Sequence, residues 1–228
     1  MDQTVPMSGD VPGKIATKRY DFGVVTKIEA NGPGTLLVAR GARGAVAISA
    51  APEDQDRIEV KADGDTLKLS FHGGLVLNRG PEGDIRYEVT AAAGIEELRL
   101  GDGIAAEAVG LEGKEIKVKL DGGSRLTLTE LRATEFELQA GGGSQSVASG
   151  TVERQKVKLS GGANYQGTGL GSQEAEVEAS GGAEGSVRAG QQLKVRASGG
   201  STVSYAGEGL NLDVKTDGGS NLRQLAGT

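Results

Sequence analysis

KVKLSGGA at residues 156–163, EVEASGGA at 176–183 and KVRASGGS at 194–201 are three copies of one pattern, and that pattern decides the fold. Each copy ends on a glycine pair. Six such pairs fill the second half of the chain: Gly122-Gly123, Gly142-Gly143, Gly161-Gly162, Gly181-Gly182, Gly199-Gly200 and Gly218-Gly219, at steps of 20, 19, 20, 18 and 19 residues. A period near twenty marks a stacked solenoid, in which each unit buries its apolar face only against its neighbours. Four residues before the first glycine stand Val118, Leu138, Val157, Val177, Val195 and Val214. Two before stand Leu120, Ala140, Leu159, Ala179, Ala197 and Thr216, and six before stand Ile116, Phe136, Gln155, Ala175, Leu193 and Leu212. The positions between are mostly polar. This is period-two alternation with the same face inward in every unit, so each unit supplies a strand in register with the next. Leu98-Arg99-Leu100-Gly101-Asp102-Gly103 fits the frame with Asp102 at the glycine position, giving about seven rungs.

The glycine pairs need a mechanical explanation rather than a chemical one. A coil this short turns a corner after each strand, and a corner often takes positive φ, which glycine adopts without a Cβ penalty. Stacked corners also bring backbones close together. A small residue follows each pair (Ser124, Ser144, Ala163, Ala183, Ser201, Ser220), and the position after next is less uniform, with Leu126, Ser146, Tyr165, Gly185, Val203 and Leu222.

Outward from the repeat the pattern loosens. Residues 1–20 contain Pro6, Pro12 and many small polar residues and predict a flexible tail. Residues 21–90 alternate in short bursts, such as Ile58–Val60 and Leu67–Leu69, broken by Gly32-Pro33-Gly34 and Pro52-Glu53-Asp54. They predict irregular β coils of the same domain, capping one end of the regular repeats at 91–225. No stretch keeps helical periodicity for three turns. Glycine, at 39 of 228 residues, and aromatics, at 3%, predict a thin core of small and branched side chains.

Composition excludes several functions. A net charge of -6 leaves no basic face for nucleic acid, and the scarcity of aromatics leaves nothing to stack bases on. The absence of cysteine removes disulfides and thiolate sites. No apolar run approaches the roughly 18 residues of a membrane span. Met1–Asp10 has neither a basic start nor an apolar stretch, so no signal peptide is expected there.

The Ser-Gly-Gly-Ala and Asp-Gly-Gly-Ser corners (Leu159–Ala163, Ala179–Ala183, Ala197–Ser201, Thr216–Ser220) resemble those of the bacterial family called putative autotransporter adhesin, head GIN domain. The opening Phe22–Gly32, the strand pair Asp63–Leu69 and the closing Val203-Ser204-Tyr205-Ala206-Gly207 resemble it too, so the likeness covers about residues 20–225. It implies a right-handed parallel β-helix, exported to the bacterial envelope or surface, with no catalytic residues and no cofactor to carry over.

Each candidate for chemistry meets a plainer reading. His72 is the single histidine, stands beside no second ligand, and is expected in a solvated loop. The residue before each glycine pair is Asp121, Gly141, Ser160, Ser180, Ser198 or Asp217. The two aspartates are five rungs apart, about 24 Å at sheet spacing, against the roughly 5–10 Å that glycoside hydrolysis requires. Glu174, Glu176 and Glu178 alternate outward as a solvated face. Calcium-binding β-rolls need an aspartate in each nine-residue turn, which this period lacks; no metal site is expected. The feature with binding potential is a ladder of hydroxyls and amides beside the corners (Ser124, Ser144, Asn164, Ser201, Thr202, Ser220, Asn221), with Tyr165 and Tyr205 as sparse aromatic contacts for a protein or glycan ligand. The leading expectation is a non-enzymatic binding scaffold. A self-assembling, bactofilin-like homo-oligomer is the alternative, and a polysaccharide-active enzyme comes third.

Overall fold

The computed structural model describes residues 15–72 and 80–225. The first fourteen positions of the expected tail, and the break at 73–79, lie outside these. In chain order the strands are β1 (Ala16–Phe22), β2 (Lys27–Asn31), β3 (Thr35–Arg40) and β4 (Gly44–Ala50), followed by a single helical turn, α1 (Pro52–Gln55). Then come β5 (Ile58–Asp63), β6 (Thr66–Phe71), β7 (Arg86–Ala91), β8 (Glu97–Gly101), β9 (Ala105–Val109) and β10 (Glu112–Leu120). Four long strands follow, β11 (Arg125–Ala140), β12 (Gln145–Leu159), β13 (Asn164–Ala179) and β14 (Glu184–Ala197). The chain closes on β15 (Thr202–Ala206), β16 (Asn211–Thr216) and β17 (Asn221–Gln224).

The second half is the expected solenoid. Its strands stack in parallel, and the register joins Leu98, Val118, Leu138, Val157, Val177, Val195 and Val214 into one column. These seven layers are linked by about six turns of chain. Val118, Leu138, Val157, Val177 and Val195 are all buried, as alternation requires. Steps of 18 to 20 residues fit one stack because register shifts absorb the difference. The shifts fall between Leu128 and Leu131, Val147 and Ser149, and Gly167 and Gly171, away from the corners.

Five of the six glycine-pair corners are tight turns closed by a backbone hydrogen bond, as from Ser124 N–H to the Asp121 carbonyl at 3.1 Å, and at the remaining one the Ser201 hydroxyl donates to the Ser198 carbonyl at 3.0 Å. Gly122 and Gly123 have φ of 59° and 76°, the left-handed pair that a two-residue turn of this type demands. The two glycines are required for different reasons. A Cβ on Gly122 would stand 2.6 Å from the Asp102 backbone nitrogen of the layer below, whereas one on Gly123 would meet nothing within 4 Å. The first needs both space and torsion, the second torsion alone. Asp102, with φ of 54°, takes the glycine position as expected, and aspartate tolerates that region better than most residues.

The N-terminal section is more regular than its sequence indicates. β2 stacks in parallel on β8 and β6, and β3 on β9 and β7. Ile28 and Leu67 thereby extend the central column two layers further, the β2–β3 layer lying between β8–β9 and β6–β7 although it comes first in the chain. Beyond it the pairing turns antiparallel: β5 on β6, β4 on β7, and β1 on β4. These strands cap that end. Two expectations are corrected here. Residues 16–20 are not tail but the start of β1, held along β4 from Ala16↔Ala50 to Phe22↔Gly44. Pro52-Glu53-Asp54 is a helical turn rather than a loop, with proline preset for the first position and the Asp54 carboxylate held by Arg57 at 3.0 Å.

Candidate functional site

Two outward columns run side by side along the stack, each contributing one side chain per layer. Five residues before the first glycine, register joins Lys27, Glu97, Lys117, Glu137, Lys156, Glu176, Lys194 and Asp213. The sign alternates at every step. In parallel in-register strands each charge faces its equivalents directly, so like signs would repel and alternation attracts. The contact from Lys194 Nζ to Glu176 Oε1 is 2.6 Å, and this hydrogen bond holds the Glu176 carboxyl below its ordinary range. Three residues before the glycine the column reads Arg99, Lys119, Gln139, Lys158, Glu178, Arg196 and Lys215. Over the seven repeat layers it carries five cations against one carboxylate, and in the β2 layer Glu29 stands beside Arg99.

The second column forms one wall of a groove of about 870 Å³ that follows the corners from Asn31 to Asp217. The opposite wall is low because the residues before the glycines are small: Gly141, Ser160, Ser180 and Ser198, with Asp121 and Asp217 toward the ends. Between them lie Leu100, Leu120, Ala140, Leu159, Ala179 and Ala197, whose side chains turn into the core. The groove is thus a step between long side chains and short ones, repeated once per layer. Arg99 is held closely, by Glu97 at 2.7 Å and Glu29 at 3.1 Å, while the other cations have longer contacts: Lys158 reaches Glu178 at 3.3 Å, Arg196 reaches Asp213 at 3.5 Å and Lys119 reaches Glu97 at 3.8 Å. Such half-exposed pairs are each worth well under about 1 kcal/mol, so a ligand can compete for them.

The hydroxyl and amide ladder is largely not a surface. Ser124, Ser144 and Ser201 are fully buried, and Tyr165 and Tyr205 are buried as well, at 1% and 8% exposure. The residue after each glycine pair points inward, so hydroxyls there serve the stack. Ser124 Oγ donates to the Leu100 carbonyl at 3.1 Å, Ser201 Oγ bonds the Ala179 carbonyl at 3.0 Å, and Ser144 Oγ is buried without a partner. Ser220 is half-buried. Asn164, Thr202 and Asn221 do face outward, in a column with Arg125, Gln145 and Glu184 on the far side of the corners. Asn164 already bonds Glu184 at 3.3 Å and Arg125 bonds Gln145 at 3.2 Å.

With the groove defined, the chain can be set against known proteins. The model of the family described as putative auto-transporter adhesin, head GIN domain matches residues 25–209. The chain belongs to this family. Among solved structures, a putative adhesin from Bacteroides fragilis superposes on this head GIN domain with a TM-score of 0.82 at 16% identity, covering 95% of this chain and 100% of that one. A putative adhesin from Parabacteroides merdae gives 0.71 at 14% identity, with 94% and 97% coverage. A putative lipid binding protein from Parabacteroides distasonis gives 0.70 at 13%, with 94% and 98% coverage. At such identities these likenesses speak for the fold. No curated protein sequence matches the chain.

Several other polar groups of the head GIN domain are engaged within the fold. His72 Nε2 lies 2.8 Å from Glu59 Oε2, both exposed, and this hydrogen bond lowers the Glu59 carboxyl. Asp121 and Asp217 each accept a hydrogen bond from the following glycine N–H, at 2.8 and 2.7 Å, which stabilises their own corners. Gln155 stands in an apolar column yet is satisfied: Nε2 donates to Ser172 Oγ at 2.8 Å and the Arg188 carbonyl at 2.9 Å. Among the described residues no three acidic or histidine side chains gather as a metal site, and none of their helices is long and apolar enough to cross a membrane.

Proposed function

We propose that this head GIN domain is a non-enzymatic binding scaffold of the bacterial cell envelope, and that the corner groove is the surface it presents. The observation that carries the reading is the groove itself. It spans the seven repeat layers, and its cation-rich wall repeats at the strand spacing of about 4.8 Å. A rigid trough with one cation or amide at most steps suits an extended ligand, a glycan chain or a protein segment, held by many weak polar contacts rather than one deep anchor. The outward column of Asn164, Thr202 and Asn221 is a secondary contact surface in this proposal. The adhesin description of the family and the names of its solved relatives support the class of function, and the envelope location follows from the same class.

Binding of the purified chain on an array of glycans and envelope polymers tests this, alongside surface attachment of a strain lacking the gene. Ligand retention by the parent chain, lost in Lys119→Glu and Lys158→Glu, is expected. Equal binding by those variants would move the site off the groove, and wild-type attachment with no ligand on the array would remove the adhesin reading.

A further inference from the structure

The two ends of the solenoid are finished differently. At the N-terminal end the column residues Leu67 and Leu69 are 0% and 1% exposed, because β5 covers β6 and β4 covers β7. At the other end β16 pairs only with β14 and β17 only with β15 among the described residues, leaving their outer edges open. Leu212 and Val214 occupy the inward columns of that last layer, where Leu193 and Val195 of the previous layer are fully buried, yet they are 45% and 38% exposed. Exposed apolar side chains beside unpaired backbone donors and acceptors are the features that a protein ordinarily hides.

The sequence of β16 identifies what covers them. Asn211-Leu212-Asp213-Val214-Lys215-Thr216 is self-complementary when paired antiparallel about Val214. Val214 then faces the partner's Val214, Asp213 faces the partner's Lys215, and Leu212 faces the partner's Thr216, with apolar and charged sides both matched. Parallel pairing would instead set aspartate against aspartate and lysine against lysine. We propose that this edge docks on the same edge of a second copy of this chain, forming a closed two-fold dimer. The contact is isologous, so each pairing uses up both edges and growth stops at two; at the opposite end the β6–β7 layer is already covered by antiparallel β5 and β4, so the parallel stacking of a filament cannot continue there. The dimer places two grooves end to end, but it does not depend on what either groove binds.

The absence of cysteine makes a direct test available. Residues opposite across an antiparallel two-fold have Cα atoms about 4.5–5.5 Å apart, inside the range a disulfide spans. Val214→Cys is expected to form a symmetric disulfide on mild oxidation of the full chain, while Val147→Cys, equally exposed at 41% on a lateral face, stays unlinked. Sedimentation equilibrium should give twice the 23.2 kDa chain mass for the parent. Lys215→Asp should raise the dimer dissociation constant about tenfold or more, and Asp213→Lys with Lys215→Asp together should restore it. A monomer at all concentrations, a mass that keeps growing, equal crosslinking of both cysteine variants, or a double variant no better than the single would each overturn the proposal.

Discussion

Two neighbouring columns on one sheet face have been given opposite charge arrangements. Lys117, Lys156 and Lys194 alternate with Glu97, Glu137, Glu176 and Asp213, so the column is neutralised along the stack. Two residues away on the same strands, Arg99, Lys119, Lys158, Arg196 and Lys215 share their column with two carboxylates, Glu178 and, in the β2 layer, Glu29. Backbone and layer spacing are common to both, and side-chain exposure is comparable. The difference therefore belongs to side-chain choice. Alternation serves the stack, since each charge meets the opposite sign in the layers above and below it when the strands are in register. An excess of one sign beside a groove serves no fold purpose and leaves charge for a ligand.

The comparison can be broken from beneath, by removing the support common to both columns. Leu138 is buried in the central column, and Leu138→Ala should destabilise the chain by about 2–5 kcal/mol. Denaturant midpoints are expected to fall and groove binding to weaken with them. Gly199→Val forces a β-branched residue to φ of 65° with its Cβ 3.0 Å from the Gly181 nitrogen, and should cost about 1–3 kcal/mol. The matching change at Gly200, where nothing lies within 4 Å, should fall toward the lower end of that range.

Smaller changes separate the columns. Lys156→Glu would set three carboxylates in succession with Glu137 and Glu176, and about 1 kcal/mol should be lost at low salt, less at high salt. Acid should act on the same ladder. The folded Glu176 carboxyl titrates below its unfolded value near 4.5, so its contribution is complete above that pH and is lost as pH falls through the depressed folded value. The gap between parent and Glu176→Gln, at most about 1 kcal/mol, should close over that window in acid unfolding curves. Tyr87 checks the core independently of both columns. Its hydroxyl is buried without a partner and burial pushes its pKa to about 12, so Tyr87→Phe should be neutral or stabilising by up to about 1 kcal/mol. The parent should lose stability relative to this variant as pH rises above the unfolded tyrosine value of 10.0.

Much of this was legible in the sequence because the glycine pairs supply a ruler. Aligning on them exposes the inward columns, the corner and even the substitution by Asp102. The same ruler, counted to odd positions, shows the alternating column and the groove wall. Part of the ladder lies inside the stack for a specific reason. The position after each pair already points inward, so Ser124, Ser144 and Ser201 fill the interior of the corner instead of displaying hydroxyls. The N-terminal layers were illegible because their corners carry no glycine pair. Gly32-Pro33-Gly34 turns the β2–β3 corner, and their order in space differs from their order in the chain. Nothing local encodes that β2 lies between β6 and β8.

The central claim, that one column holds the fold in register while its neighbour holds a ligand, reduces to a single paired measurement. Lys156→Glu and Lys119→Glu are compared with the parent for thermal stability and for binding to the polymer the array selects. Lys156→Glu should melt lower and still bind, whereas Lys119→Glu, beside Arg99 and Gln139, should melt within a degree or so of the parent and fail to bind. Two variants that change stability and binding together, or a Lys119→Glu that binds as the parent does, would contradict the account.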